Sequence, residues 1–311
     1  HIYNVGSLFK GSVGDVRTPV YPYFIQLIKK IGGEANLNNN TSYVQKILFL
    51  ISIILMYYTL KMLVKNKIVV SALTVIFGIC PTIITWNIFV LTESIAMLEM
   101  SILAFITVKY LKNPSKITAG LMGIVILSMI LTRPAFIYLL PIYILFIILR
   151  WFLYKEERKK LLFVMVSMLI CCIVLVGYCF QIKRYYGVFG LTSVSSLNNL
   201  VSAIYCGAYK EGNNSGIITE IDNLVGEQVP SQERAFEIYR EIEKNHTQTE
   251  LSNFANSALK NNDKYKNFII NKFISLGTRN IGTSYIQITD SNGNIILNYG
   301  DLGTLFLPIT F

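Results

Sequence analysis

The sequence predicts a mainly α-helical protein, a polytopic transmembrane bundle with an outward-facing, mainly helical mixed soluble domain. Apolar residues make up 53% of the chain and charged residues only 15%, more apolar surface than a soluble protein of this size buries. The apolar runs are about 20 residues long, which matches a bilayer core of roughly 30 Å. Basic residues also concentrate in alternate connections between these runs, as in membrane proteins of fixed orientation.

The first segment, residues 1–42, is polar and holds one short amphipathic stretch from Tyr21 to Ile31. Its apolar residues recur at helical spacing, with Gln26 and two lysines elsewhere on the wheel; the apolar positions are Phe24, Leu27, Ile28 and Ile31. This pattern is typical of a helix lying in the membrane interface. It fits a loop helix packed on other protein equally well, so both interpretations stay open.

Six membrane spans are predicted after this segment, at about 43–64, 68–90, 92–111, 117–132, 134–153 and 161–182. Pro81 and Pro141 lie inside spans, where neighbouring helices can compensate for the lost hydrogen bonds. The fourth span is short, and Pro134 favours a helix break directly before it.

The basic residues orient the bundle. They follow the first, third and fifth spans, at Lys61, Lys65, Lys67, Lys109, Lys112, Lys116, Arg150, Lys155, Arg158, Lys159 and Lys160. The positive-inside rule places these connections in the cytoplasm. The alternate connections, residues 1–42 and residues 185–300 then face outward. Since the net charge of +10 is mostly this topological signal, no nucleic-acid partner is expected.

Residues 185–300 are predicted to form the outward-facing domain. Helices are expected over Pro230–Lys244, with Ser231 as N-cap, over Leu251–Leu259 and over Tyr265–Ile274. A hairpin is expected from Tyr285–Ile288 and Ile295–Tyr299 around a turn at Asp290–Asn294. Residues 301–311 become apolar again, like the start of a further span. We therefore expect the chain to be a fragment, with spans before residue 1 and after residue 311.

Three short polar islands separate the apolar runs, at residues 14–22, 91–93 and 131–134. With six spans, all three emerge on the same face of the membrane. That face then gathers the carboxylates of Asp15 and Glu93 and the guanidinium groups of Arg17 and Arg133. The planar arginine fork suits a phosphate, and a carboxylate can remove a proton from an attacking hydroxyl. The islands predict a site for an anionic lipid headgroup.

Each residue of this site also has a purely structural interpretation. Asp15 can be a turn residue after Gly14, and the arginines can be anchors that extend to the interface. Glu93 can complement the positive end of its helix, with Thr92 as N-cap. Glu99 lies deeper and needs a partner that the sequence does not identify.

An aromatic and basic rim completes the predicted outer face. Tyr21 belongs to it, and so do Lys183 and Arg184, which close the last span and are more often anchors than ligands. The chain has only two histidines and no Cys-x-x-Cys pair, so no metal-ligating residues are predicted. A divalent ion bound by carboxylates is left open.

The motifs together resemble the GT-C membrane glycosyltransferases, in particular the bacterial branch related to protein O-mannosyltransferases and lipid A aminoarabinose transferases. The resemblance lies in Arg17-Thr18-Pro19-Val20-Tyr21-Pro22, in Thr92-Glu93 at a span start, and in Leu131-Thr132-Arg133-Pro134. Their order, spacing and sidedness agree over about residues 1–190. The segment at 185–300 carries no matching motif.

The resemblance implies a polyprenyl-phosphate sugar as donor and a lipid, glycan or protein as acceptor. It implies inverting transfer at an active site facing outward from a bacterial cytoplasmic membrane. Asp15 would act as base and Glu93 would orient the sugar or acceptor. Lipid phosphate and substrate would be held by Arg17, Tyr21, Arg133, Lys183 and Arg184. The acid of this family usually lies upstream of a helix that Tyr3–Phe9 resembles, so the base can instead precede His1 and Asp15 can be a pocket residue.

Two other classes of function are weighed against this one. A transporter or flippase of a lipid-linked sugar also needs cations for the phosphate, but its typical inverted repeats and broken helices at the midplane are not found in the sequence. A structural membrane subunit predicts that Arg17, Glu93 and Arg133 can be neutralised without loss of function.

Overall fold

A computed structural model describes residues 18–80, 83–84, 90–192, 194–226, 230–278, 287–289 and 295–298, and these residues are almost entirely helical. The chain divides into two compact units, one built on Thr18–Gly177 and the other on Tyr178–Ile281. We call them the membrane unit and the second unit, and describe each by itself. The predicted mainly α-helical membrane fold is confirmed.

The membrane unit contains seven helices within its described residues. They are α1 Val20–Gly32, α2 Leu37–Leu63, α3 Lys67–Ile79, α4 Glu93–Lys112, α5 Lys116–Thr132, α6 Leu139–Leu153 and α7 Arg158–Tyr186, with a 3₁₀ turn Pro134–Tyr138 leading into α6. The last turns of α7 belong to the second unit.

A helix occupies each of the six predicted span positions. Within the described ranges, four segments are long and apolar enough to cross a membrane: α2, α4, the 3₁₀ turn with α6, and α7. The helices α3 and α5, with 13 and 17 residues, are shorter than a full span. The chain is an integral membrane protein, and the count of six spans stays a prediction.

The centre of the membrane unit is formed by α2, α4 and α5. Helix α4 packs against both of its neighbours, and α1 lies against α2 and α5. Ile126, Met129 and Ile130 of α5 have no exposed surface. Leu149 of α6 and Ile173 of α7 are, in contrast, largely exposed. Apolar side chains exposed along membrane-crossing helices are those that contact lipid.

Local sequence explains where several helices begin and end. Asn66 caps α3 by accepting hydrogen bonds from the next turn, and Ser115 forms a capping box with Thr118 at the start of α5. Helix α5 ends at Thr132 because Pro134 disfavours helical geometry in Arg133, which is extended with φ −141° and ψ 118°. The predicted break before Pro134 is confirmed.

Two sequence-based expectations about helices are corrected. Helix α3 ends at Ile79, well before the predicted end near residue 90, because Pro81 favours an extended conformation in Cys80. In α1, the buried residues are Tyr21, Pro22, Ile25 and Ile28. The predicted stripe included Leu27 and Ile31, which are exposed. Helix α1 therefore packs one apolar face on protein and keeps another exposed, so features of both open interpretations are present.

The second unit is a compact helical domain with its own core. It contains α8 Val194–Tyr205, a 3₁₀ turn Ala208–Glu211, α9 Ser215–Val225, α10 Gln232–Ile242, α11 Gln248–Leu259 and α12 Asp263–Thr278. Helix α8 lies at the centre and contacts α10 and α11, and α9 packs on α10. Fully buried core residues include Leu200, Ile204, Ile217, Ile221 and Ile242.

The predicted helices α10, α11 and α12 are confirmed, and Ser231 caps α10 by accepting a hydrogen bond from the Arg234 backbone at 3.2 Å. Helices α8 and α9 were not predicted. The expected hairpin is also found, with β1 Gln287–Thr289 antiparallel to β2 Ile295–Asn298. Its predicted turn at Asp290–Asn294 and the apolar segment 301–311 lie outside the described residues.

A close contact between α5 and α7 explains a glycine in the membrane unit. A Cβ atom added to Gly123 would overlap Ser167 Oγ and lie 3.0 Å from the Ser167 carbonyl oxygen. Ser167 also donates a long hydrogen bond of 3.4 Å to the Gly120 carbonyl. Small residues at such positions let helix backbones approach closely in a membrane.

We expect Gly123→Ala to destabilise the membrane unit by about 1–3 kcal/mol, because the added methyl group overpacks the α5–α7 contact. The measurement is the thermal unfolding midpoint of the purified protein in detergent. Gly120→Ala is the matched control on the same helix, since its Cβ would have no atom within 4 Å. Equal unfolding midpoints for the two variants would contradict the packing argument.

A second prediction concerns the pH stability of the second unit. Hydrogen bonds with His246 at 2.8 Å and from Asn245 hold the pKa of the Glu220 carboxyl below its usual value of 4.5. The stabilisation is therefore complete above pH 4.5 and is lost as the pH falls through the lowered pKa. The Glu220→Gln variant should therefore lose less stability than the wild type as the pH falls through this range.

The corresponding measurement is hydrogen–deuterium exchange of α9 and α11, corrected for intrinsic exchange, from pH 3.5 to 7. Glu237→Gln serves as control, because Glu237 forms an exposed ion pair with Arg234 on a single helix. The assignment would be wrong if Glu220→Gln and Glu237→Gln changed the acid dependence to the same extent.

Candidate functional site

The second and third polar islands meet in an ion pair at one end of the membrane unit. Arg133 Nη1 donates to Glu93 Oε1 at 2.8 Å. Glu93 is the first residue of α4, and Arg133 directly follows α5. The two side chains are 27% and 43% exposed, respectively, so a ligand can reach both charges while they remain paired.

The first island joins the third through Thr18. The buried Thr18 hydroxyl donates to the backbone carbonyl of Thr132 at 3.1 Å. Asp15 and Arg17 lie outside the described residues. Thr18 itself belongs to the first polar island, residues 14–22. The structure thus brings all three islands together.

Two buried polar side chains, Gln45 and Glu99, form hydrogen bonds with residues next to the Glu93–Arg133 ion pair. Gln45 of α2 has no exposed surface, and its Nε2 donates to the Leu91 carbonyl at 2.6 Å, just before Glu93. Glu99 of α4 accepts hydrogen bonds on Oε1 from Ser128 and, at 3.0 Å, from Thr132. These are the partners of Glu99 that the sequence did not identify.

Gln45 was missed by sequence reasoning. Its signal was a lone amide near the start of an otherwise apolar span, but nothing in the sequence indicated that it would contact a residue 46 positions away. A polar side chain at membrane depth is a reasonable indicator of a structural or functional contact even when its partner is unknown.

A cavity of about 240 Å³ opens beside the ion pair. Its polar end is formed by Glu93, Ser94 and Arg133, and its other walls are the apolar residues Ile83, Ala96, Met97, Met100 and Phe136. The volume is somewhat below that of cavities that enclose a whole small-molecule ligand. The cavity can therefore hold part of an amphipathic ligand, with a charged group at the ion pair and an apolar chain beyond it.

The structural interpretation of Glu93 is present alongside the ion pair. Thr92 occupies the N-cap position of α4, but its hydroxyl caps no backbone N–H and lies 3.4 Å from Glu93 Oε2. Glu93 itself lies in the first turn, where the helix dipole favours a negative charge. Glu93 thus fits both interpretations, as the partner of Arg133 and as an acidic residue in the first turn of α4.

The remaining predicted site residues are placed as follows. Tyr21 lies on the buried face of α1, with its ring centroid 5.9 Å from that of Phe24. Lys183 and Arg184 lie exposed near the end of α7, in the second unit. Burial makes Tyr21 part of the packing of α1, and a role in binding substrate stays a prediction for all three residues.

No group of three metal-ligating side chains occurs among the described residues. Glu93 and Glu99 point to different partners, an arginine and two hydroxyl groups. A divalent ion bound through carboxylates that include Asp15 stays a hypothesis, since Asp15 lies outside the described part of the chain.

The chain was compared with known protein families, curated proteins and solved structures. A sequence model of the dolichyl-phosphate-mannose-protein mannosyltransferase family matches residues 16–178. The match covers more than half of the chain and includes Arg17, Thr18, Glu93 and Arg133. Its end coincides with the start of the second unit at Tyr178. No curated protein and no solved structure matched the chain.

We expect Arg133→Gln to leave the fold nearly intact. Ion pairs as exposed as Glu93–Arg133 contribute only about 0–1 kcal/mol, so the thermal unfolding midpoint in detergent should fall by no more than about 3 °C. Glu34→Gln is the control, because Glu34 pairs with Lys29 at 2.7 Å on a more exposed surface. A drop above 10 °C for Arg133→Gln alone would show that the pair is mainly structural.

Proposed function

The chain belongs to the dolichyl-phosphate-mannose-protein mannosyltransferase family, and from this premise we propose that it transfers a sugar from a polyprenyl phosphate to a lipid, glycan or protein acceptor. Family membership and the apolar helices together make the protein an integral membrane glycosyltransferase. The proposal adds the polyprenyl-phosphate donor, the acceptor classes, inversion at the sugar carbon, and an active site on the outer face of a bacterial cytoplasmic membrane.

The observation that carries the proposal is the Glu93–Arg133 pair at the polar end of an apolar cavity. A polyprenyl-phosphate sugar has a charged phosphate between an apolar tail and a polar sugar. The guanidinium of Arg133 has five N–H donors, and its bond to Glu93 uses one of them. Arg133 can thus bind the lipid phosphate while Glu93 holds the guanidinium in place or orients the sugar.

The proposed reaction is a single displacement at the sugar carbon. The acceptor oxygen forms a bond to that carbon as the bond to the phosphate oxygen breaks, and the phosphate leaves with the electron pair. Asp15, or an acid upstream of His1, removes the acceptor proton. Arg17 and Arg133 stabilise the negative charge that develops on the leaving phosphate. Attack opposite the leaving group inverts the sugar carbon.

The outward orientation rests on the distribution of lysine and arginine. The basic connections α2–α3, α4–α5 and α6–α7 lie at the opposite ends of their helices from Glu93 and Arg133. Under the positive-inside rule those connections are cytoplasmic, and the ion pair faces outward. A lipid-linked sugar on that face would be within reach of acceptors outside the membrane.

The proposal is tested by a transfer assay. Membranes containing the full-length protein are given a panel of radiolabelled polyprenyl-phosphate sugars, and acceptor labelling is measured together with release of polyprenyl phosphate. We expect Arg17→Ala and Arg133→Gln each to lower transfer by about 10²–10³-fold, the usual cost of removing a group that stabilises developing charge. Glu34→Gln, at the exposed pair with Lys29, should transfer at the wild-type rate.

Asp15→Asn is measured in the same assay to locate the base. Loss of transfer supports Asp15 as the base, and retained transfer excludes Asp15 from that role. If no donor is used and labelled lipid instead changes leaflet, the protein is a flippase and the proposal fails. Wild-type transfer in Arg17→Ala, Glu93→Gln and Arg133→Gln together would indicate that these residues are structural only.

A further inference from the structure

We propose that Glu99 is a positioning residue, which holds the last turn of α5 so that Arg133 meets Glu93 at the cavity. The consequence for catalysis rests on the proposed function, whereas the consequence for the Glu93–Arg133 pair does not. Glu99 is 7% exposed, lies within a membrane-crossing helix and does not line the cavity. Six positions after Glu93 in the sequence, it lies about 9 Å further along α4.

A single oxygen of Glu99 holds α5 at two points. Oε1 accepts hydrogen bonds from the hydroxyls of Ser128 and Thr132, which are four residues apart and so share one face of the helix. The other oxygen, Oε2, is buried and has no hydrogen-bond partner among the described residues. The carboxylate is thus used to fix the end of α5 even though one of its two oxygens is left unsatisfied.

Thr132 passes this constraint to both arginine motifs. Its hydroxyl lies 3.0 Å from Glu99 Oε1 and 2.9 Å from the Ser128 carbonyl, so its single proton is shared between these two acceptors, while its backbone carbonyl accepts from Thr18. Arg133 is the next residue in the chain, and Arg17 precedes Thr18. A shift of Thr132 would therefore move the backbone of Arg133 and release the contact at Thr18. This connection begins at the acidic side chain of Glu99.

Helix packing alone does not require a carboxylate at this position. Burying a charge in a membrane is costly, and apolar residues of similar size often replace buried polar groups at little cost to stability. Helices α4 and α5 pack against each other and already bury the apolar residues Leu103, Ile126 and Met129. Apolar contacts are not directional, so they would allow Thr132 to shift along the α4–α5 contact. The hydrogen bond to Glu99 is directional and fixes the position of Thr132.

The first test distinguishes the effect of losing the Glu99–Thr132 hydrogen bond from the effect of changing the packing. Glu99→Gln and Thr132→Ser keep the Glu99–Thr132 hydrogen bond, and Glu99→Leu and Thr132→Val remove it. In the transfer assay, we expect the first two to keep kcat within about 3-fold of wild type. The last two should lose about 10²-fold in kcat with KM nearly unchanged, the order of effect that a misplacement of about 1 Å produces.

The double variant Glu99→Leu/Thr132→Val should be no worse than either single variant, because both remove the same contact. Ser101→Ala is the matched control: Ser101 is buried on the same helix, but its hydroxyl bonds only to the Met97 carbonyl of α4. The inference is overturned if the kcat of Glu99→Gln falls as far as that of Glu99→Leu. It is also overturned if Glu99→Leu changes KM alone, or if Glu99→Leu transfers at the wild-type rate.

The second test needs no transfer, so it decides the inference even if the proposed function fails. Unfolding midpoints are measured for Glu93→Gln, Arg133→Gln and the double variant, in wild-type, Glu99→Gln and Glu99→Leu backgrounds. We expect a non-additive shift of about 1–3 °C in the first two backgrounds and none in Glu99→Leu. The same non-additivity in all three backgrounds would show that Glu99 does not position Arg133.

Discussion

The membrane unit depends on one constraint: inside a lipid bilayer, every polar group must find its partner within the protein. Most buried hydroxyl groups meet it locally. Thr41, Ser52, Thr59, Thr74 and Ser101 each donate to the carbonyl four residues earlier in their own helix. Such bonds satisfy the hydroxyl without tying one helix to another. They permit polar residues in the spans but give no information about how the helices are arranged.

Polar contacts between elements are distributed differently. Thr107–Tyr143 and Ser167–Gly120 cross between helices, but they involve only neutral groups. The contacts of the acidic residues Glu93, with Arg133, and Glu99, with its two hydroxyls, join α4 to the end of α5. Thr18–Thr132 and Gln45–Leu91 lie at the same end. At the other end of α6 and α7, Arg158 donates to the Trp151 carbonyl. Four of the polar contacts between elements are thus gathered where the polar islands meet.

The sequence allowed prediction of whatever depends on local rules. Apolar runs predicted the helices, Pro134 predicted the end of α5, and the residues from Ser231 to Arg234 predicted an N-cap. Sidedness followed from the basic connections and predicted that Glu93 and Arg133 would emerge on one face. The structure adds that they are in direct contact, which depends on the packing of α4 against α5.

What could not be predicted depended on tertiary contacts. The buried face of α1 is set by its neighbours α2 and α5, so Ile25 is buried while Leu27 is exposed. The contact between Gln45 and Leu91 joins residues far apart in the chain, and no periodicity encodes it. Helix α9 did carry a local signal, since Asn214 caps it and Ile217 and Ile221 share a face. That signal was short, because α9 has 11 residues and its buried residues are Ile217 and Ile221.

The two kinds of charged contact suit two different tasks. The Glu93–Arg133 pair is partly exposed, so water can replace either partner and the pair contributes little to stability. For the same reason, Arg133 can replace its hydrogen bond to Glu93 with one to an incoming phosphate at low cost. Glu99 is buried, and releasing its hydroxyl partners would leave a buried acidic side chain without solvent or hydrogen-bond donors. The Glu93–Arg133 pair can thus exchange partners at the cavity, whereas the hydrogen bonds of Glu99 to α5 are costly to break. The costly contact keeps the site in one geometry while its ligands change.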